Sequence, residues 1–277
     1  MYQNDSARYP QALSYMREII NSPQYDLVND YTTIFTEEGE WSQESIWEIN
    51  YISQNAVRDW GNPMAAGGTV LPTLISPNNW PSGAEGHNTG WGFAPLRLET
   101  YQMFSANDAR RDATCWNAAA TGVEYNKRYQ DFGFFLEKYS AKADGNAGQK
   151  ASGELNYNNN WRIYRYSETL LNAAELIVAT GGNASEAKTY LNNVRKRAGL
   201  VTELDPTLDN ILQERRLEFV GEGKRYWDLI RTGKASQVLV PDQYGYRTNT
   251  WSPQKKHLPI PQSEIDKAQG TLTQNPY

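Results

Sequence analysis

Three tryptophans, Trp60, Trp80 and Trp91, stand in a stretch from Val57 to Pro95 that is dominated by Gly, Pro, Asn and Ser. Sugar rings present flat, weakly apolar C–H faces rimmed with hydroxyls. Aromatic platforms match the faces, and planar amides or the forked guanidinium of Arg match the rims. Arg58-Asp59-Trp60, Asn78-Asn79-Trp80 and His87-Asn88 with Trp91 supply that mixture, and Trp116 and Tyr129, near Tyr125, Asn126 and Arg128, could extend it. The residues singled out as candidate ligand contacts are therefore Trp60, Trp80, Trp91, Asn78, Asn79, Arg58, Trp116 and Tyr129. The chain holds nine Trp and eighteen Tyr, so many rings must also serve in packing, and position decides which remain for a ligand.

Catalysis finds less support. A glycoside hydrolase needs two carboxylates at fixed separation, one with a raised pKa. Acids are plentiful (Glu37, Glu38, Glu40, Glu44, Glu48, Glu124, Asp131), but the first group reads as a solvated turn and no dyad is marked. No Gly-x-Ser-x-Gly string occurs, and Cys115 lies far in sequence from both histidines. Neither a catalytic residue, a metal ligand nor a cofactor is assigned. Two histidines and one cysteine leave little for zinc, and a single cysteine forms no intrachain disulfide. A net charge of -5 argues against nucleic acid as partner, which calls for concentrated positive charge. No apolar run is long enough to span a bilayer.

The elements that must position these residues are mainly helical. Residues 8–22 read as a helix that Pro23 stops, and Glu44–Ile52 reads as a short strand. Seven Gly and five Pro between Val57 and Pro95 predict a long irregular loop, of the sort that is usually functional or disordered. Residues 162–180 carry Ile163, Tyr166, Leu170, Ala174 and Ile177 at helical spacing; Gly181-Gly182 ends the run, and a second helix spans 185–197. The pair forms a helical hairpin of the tetratricopeptide type. From Asn210 to Gly233, four acids and five bases interleave with bulky apolar residues over a span that reads as helix. Pairs are available between Arg215 and Glu218, Arg225 and Asp228, and Asp228 and Arg231. Such a segment is expected to be partly buried with its charges paired.

That segment resembles the signature of the SusD/RagB family of surface glycan-binding lipoproteins: Glu214-Arg215, Glu218, Glu222-Gly223-Lys224-Arg225, Asp228-Leu229-Ile230-Arg231 and Gly233. Arg165-Tyr-Ser-Glu-Thr-Leu-Leu171 with Ala174-Glu175, Leu191-Asn-Asn-Val-Arg195, Arg197-Ala-Gly-Leu200, and His257-Leu-Pro-Ile-Pro-Gln-Ser-Glu-Ile265 with Gln274-Asn-Pro276 are similar to family strings in the same order. Asn107–Asp112 resembles the family's Asp-x-Arg-Arg turn, and Gly90-Trp91-Gly92 a recurring family element, which makes a structural plug an equal reading of Trp91.

The resemblance implies a mainly α, SusD-like fold: tetratricopeptide-type hairpins, a loop-rich insert and a few short β-strands. Residues 1–277 are expected to form a single C-terminal portion of such a protein, with 8–52 and 160–277 as helical scaffold and 57–140 as the insert. The signature residues Glu214, Arg215, Glu218, Glu222, Gly223, Arg225, Asp228 and Arg231 are expected to hold the fold rather than touch ligand. The implied activity is non-catalytic capture of an oligosaccharide or polysaccharide at the outer-membrane surface and its delivery to a SusC-like TonB-dependent transporter. Attachment to the membrane is expected only through a lipid anchor, whose acceptor cysteine this chain does not show. A peptide-capturing branch of the family, a helical-repeat adaptor and a glycoside hydrolase are the alternatives.

Overall fold

The computed structural model describes residues 5–276. They divide into two compact units, Ser6–Gly223 and the segment from Lys224 onward together with Asp5.

In the larger unit, α1 (Tyr9–Ile20) begins with Pro10 in its first turn, where a missing N–H costs nothing. β1 (Ser45–Ile49) follows, then α2 (Leu71–Ile75), α3 (Leu98–Gln102) and α4 (Arg110–Thr114). Next come the short strands β2 (Cys115–Asn117) and β3 (Phe134–Leu136), then β4 (Trp161–Arg165). The long helices α5 (Tyr166–Thr180), α6 (Ala184–Arg197) and α7 (Leu208–Glu218) complete the unit.

The hairpin of α5 and α6 forms as the sequence predicts. Gly181 adopts φ +66° and Gly182 N–H bonds to the Ile177 carbonyl; the Asn183 side chain then caps the amides of Ser185 and Glu186. Leu170, Leu171, Ala174 and Ile177 of α5 are fully buried, as are Ala187, Leu191 and Val194 of α6. On the other side α1 packs against α5, and Arg17 reaches Glu186 of α6 at 2.7 Å. Four helices thus enclose a common core, since α7 packs on both α5 and α6.

Two expectations need correction. Residues 161–165 are strand, not the first turn of the helix. They pair antiparallel with β1 (Ser45 opposite Arg165, Glu48 opposite Arg162), and the ladder overrides a periodicity that Ile163 and Tyr166 fit equally well. The charged segment 210–233 is not continuous helix either. It breaks after Glu218, because Gly221 and Gly223 take φ +78° and +76°. A Cβ at Gly221 would lie 2.4 Å from Leu136 Cδ2, so the break is packed against β3. The insert is also less irregular than expected, since α2 interrupts the loop from Val57 to Pro95 and the β2–β3 ribbon follows α4.

The smaller unit contains α8 (Arg225–Arg231), α9 (Ala235–Val238) and α10 (Gln262–Lys267). Asp228 and Arg231 form the expected ion pair at 2.7 Å, both buried. The tail folds back on itself: Gln274 exchanges two 2.8 Å hydrogen bonds with the backbone of Ile260, and Asn275 donates to the Leu258 carbonyl. That exchange is the physical content of the spaced Leu-Pro-Ile-Pro and Gln-Asn-Pro strings.

Candidate functional site

The turn Gly90–Phe93 hangs on α2 by its backbone. Trp91 N–H donates to the Thr73 carbonyl (2.7 Å), Gly92 N–H to Ser76 (2.8 Å) and Phe93 N–H to Leu74 (2.9 Å). A Cβ at Gly90 would lie 2.4 Å from the Ser76 carbonyl oxygen, so glycine is required for this approach. The second loop is braced from inside. Arg58 donates to the carbonyls of Pro63 (2.7 Å) and Gly68 (2.9 Å), while the buried Asn156 amide donates to the Arg58 carbonyl and accepts from Gly68 N–H.

These two supports bring three rings into one strip, with half-buried Trp91 between two exposed rings. Trp60, 58% exposed, lies 5.8 Å from Trp91 with the planes only 22° apart. Trp91 in turn lies 5.6 Å from Phe93, which is 64% exposed. At one end Trp60 Nε1 donates to Glu154 Oε1 (2.8 Å). At the other, Arg128 donates from Nε to the Trp91 carbonyl (3.1 Å) and sets its guanidinium 5.9 Å from the centre of the Phe93 ring. Fixed aromatic faces with a carboxylate and a guanidinium at the ends are suited to stacking on, and hydrogen bonding around, a polyhydroxylated ring.

Other candidates sit elsewhere. Trp80, expected to be an open platform, is 2% exposed; it packs edge-on to Trp116 at 4.7 Å and gives its Nε1–H to the Ala84 carbonyl. Trp116 is likewise buried, with His87 stacked on it at 3.9 Å. The β2–β3 ribbon supplies the cover that the composition of the insert does not reveal: Phe135 and Ala118 close over both rings. Asn78 and Arg58 are used internally, Asn78 through backbone bridges to Gly90 and Asn126 and a side-chain bond to the Gly90 carbonyl. Asn79 is exposed at φ +58°, and Tyr129 is 83% exposed without an aromatic partner among the described residues. Phe93 and Glu154 were not among the candidates. Phe93 is legible as the residue after Gly-Trp-Gly, whereas nothing local marks Glu154, which meets Trp60 only through the fold.

Of the signature charges, Glu214, Arg215, Glu218, Glu222, Asp228 and Arg231 are buried, and Arg225 is half-buried. Five cations (Arg110, Lys138, Arg165, Arg195, Arg197) interlock with five carboxylates (Glu44, Asp108, Glu214, Glu218, Glu222). Glu218 is the hub, accepting from Arg110 (3.1 Å), Arg165 (2.9 Å) and Arg197 (2.5 Å). Burial opposes its ionisation, yet Arg197, Arg165 and Arg110 outweigh that and hold it well below the usual carboxylate range. Arg215 reaches across to Glu168 and to the Asn172 amide on α5. Paired in this way, the buried charges tie α4, β4, α6 and α7 to one another.

Among the described residues no group of three His, Cys, Asp or Glu could hold a metal ion, and no helix is long and apolar enough to cross a membrane.

Known proteins resemble this chain along nearly its whole length. SusD-like protein P2 of Formosa agariphila is 27% identical over 257 residues, which is 84% of this chain and 48% of that protein. Surface glycan-binding protein A from Bacteroides thetaiotaomicron, solved in complex with laminarihexaose, is 67% identical with a TM-score of 0.97, covering 100% of this chain and 61% of that one. Its counterpart from Bacteroides uniformis is 53% identical with a TM-score of 0.88, covering 100% and 58%. The chain spans about half the length of the curated relatives it matches and about three fifths of these solved chains. A profile of the SusD family matches residues 108–277, the stretch that holds all of the named charge network except Glu44 together with the self-paired tail, and the chain belongs to that family.

Proposed function

We propose that this protein captures an oligosaccharide at the outer-membrane surface, without a chemical step, and passes it to a SusC-like TonB-dependent transporter. The observation that carries the reading is the Trp60–Trp91–Phe93 strip, exposed at Trp60 and Phe93, with Glu154 and Arg128 at its ends. Stacking supplies affinity, and the two polar groups orient the ring hydroxyls. Laminarin-type glucan ranks first as cargo, because the Bacteroides thetaiotaomicron relative was solved with laminarihexaose. Capture on an open strip covers only part of the ligand, so binding of one site is weak and hand-over is correspondingly easy.

The test is titration calorimetry of the protein with laminarin and a panel of other soluble polysaccharides, alongside Trp60→Ala and Phe93→Ala. Heat with laminarin that both variants lose, with no sugar released, supports capture on the strip. Released product overturns the non-catalytic reading. Binding that both variants retain moves the site away from the strip, and binding of peptides but no glycan replaces the cargo class.

A further inference from the structure

A cleft of about 690 Å³ opens beside the strip, lined by Asn79, Pro81, Glu124, Tyr125, Asn126 and Lys127 among others. It shares a backbone ladder with the strip. Asn126 N–H donates to the Asn78 carbonyl at 2.8 Å, and Asn78 is bridged on its other side to Gly90, the residue before Trp91. Lys127 lines the cleft, and the next residue, Arg128, lies against Phe93 and the Trp91 carbonyl. Cleft and strip are thus neighbours, connected through Asn78 and Arg128.

The wall is rigid. Tyr125 packs against Trp80 and Phe135, both at 5.7 Å, and its hydroxyl is tied to Asp131 at 3.1 Å. The rim is different: the side chains of Asn79, Glu124, Asn126 and Lys127 make no hydrogen bond or ion pair to the described residues. Asn79 holds a left-handed backbone, a conformation that Asn tolerates better than most residues. Two amides, one acid and one base around a rigid aromatic wall form a polar socket next to a stacking strip. Charge is balanced over the whole surface, with Lys127 and Arg128 set against Glu124 and Glu154.

We propose that the cleft is a second subsite for the same ligand, one that takes the sugar units beyond those stacked on Trp60, Trp91 and Phe93 and selects a neutral, extended chain. The proposal rests on the glycan reading of the strip. Affinity then rises with chain length until both subsites are filled, and the cleft contributes only to the longer members.

The experiment compares laminaritriose and laminarihexaose by calorimetry on the parent protein, on Asn126→Ala/Lys127→Ala and on Trp60→Ala, with thermal melts confirming that each variant folds. The double variant weakens the hexasaccharide about tenfold and the trisaccharide far less, while Trp60→Ala weakens both. If the double variant keeps the parent's full gain from triose to hexaose, the second subsite is overturned and the strip reading stands. If the parent binds neither oligosaccharide, the glucan reading falls and takes the subsite with it. Sulfated laminarin binding more tightly than unsulfated laminarin to the parent overturns the neutral-chain assignment.

Discussion

Arg165 joins Glu44, Glu218 and Glu222 through one guanidinium, with Glu218 at 2.9 Å, so a strand residue holds a helix end and the loop that follows it. Burial acts against the charge on Arg165, but the three carboxylates outweigh it and push the guanidinium pKa well up. This relationship makes the network testable.

Glu218→Ala strands Arg110, Arg165 and Arg197 in a buried site. Removing one partner from such a cluster costs about 3–5 kcal/mol. Chemical denaturation should show the loss, and Glu218→Gln should recover only part of it.

Acid should unfold the protein through the same cluster. Glu218 and Glu222 are held below their ordinary range when folded, with burial opposing and Arg197, Arg165 and Lys138 prevailing between them. Their contribution is complete above the unfolded value of about 4.3 and is lost as pH falls below it toward the folded one. Stability should decline by about 1.4 kcal/mol per pH unit for each proton taken up preferentially by the unfolded chain. Glu137, lowered by His87 and Lys142 against its burial, adds to the trend; Glu40, raised by burial, opposes it. A melting temperature that stays level from pH 6 to pH 3 would sink the account.

The tryptophans should separate cleanly. Trp80→Ala empties a buried position and costs about 3–5 kcal/mol of stability. Trp60→Ala touches an exposed ring, leaves stability within about 1 kcal/mol, and lowers glycan affinity about tenfold. Melts and calorimetry on the two variants distinguish core from platform.

Gly90→Ala should damage both properties at once. The added methyl meets the Ser76 backbone at 2.4 Å, so the turn carrying Trp91 must move off α2. A lower melting temperature with weaker glycan binding is expected, and normal binding would show that the strip tolerates a shifted turn.

Cys115 is 2% exposed, and burial pushes its thiol up to about 12. A thiol reagent should react with it only after denaturation.

Much of the scaffold was legible because its signals are local. Gly181-Gly182 and Asn183 announce the α5–α6 turn, and the interleaved charges from Glu214 to Arg231 announce burial with pairing. The partners were less legible. Glu218 lies three residues from Arg215 in sequence, yet accepts from Arg110, Arg165 and Arg197, which three other segments deliver. The site divides in the same way. Trp60 and Trp91 stand out by composition, but Trp80 in an identical context is core, because the ribbon that covers it pairs residues far apart in sequence. Glu154 became visible only when the loop of Trp60 folded against it.

The suspension of residues 91–93 from α2 by main-chain hydrogen bonds has an evolutionary corollary. Because the carbonyls of Thr73, Leu74 and Ser76 grip the backbone, the turn's position does not depend on which side chains it displays. Trp91 and Phe93 are thus exchangeable tool bits in a chuck that the main chain fixes. On the proposed reading, a different polymer calls for a few rewritten rings, with the main-chain grip left as it is.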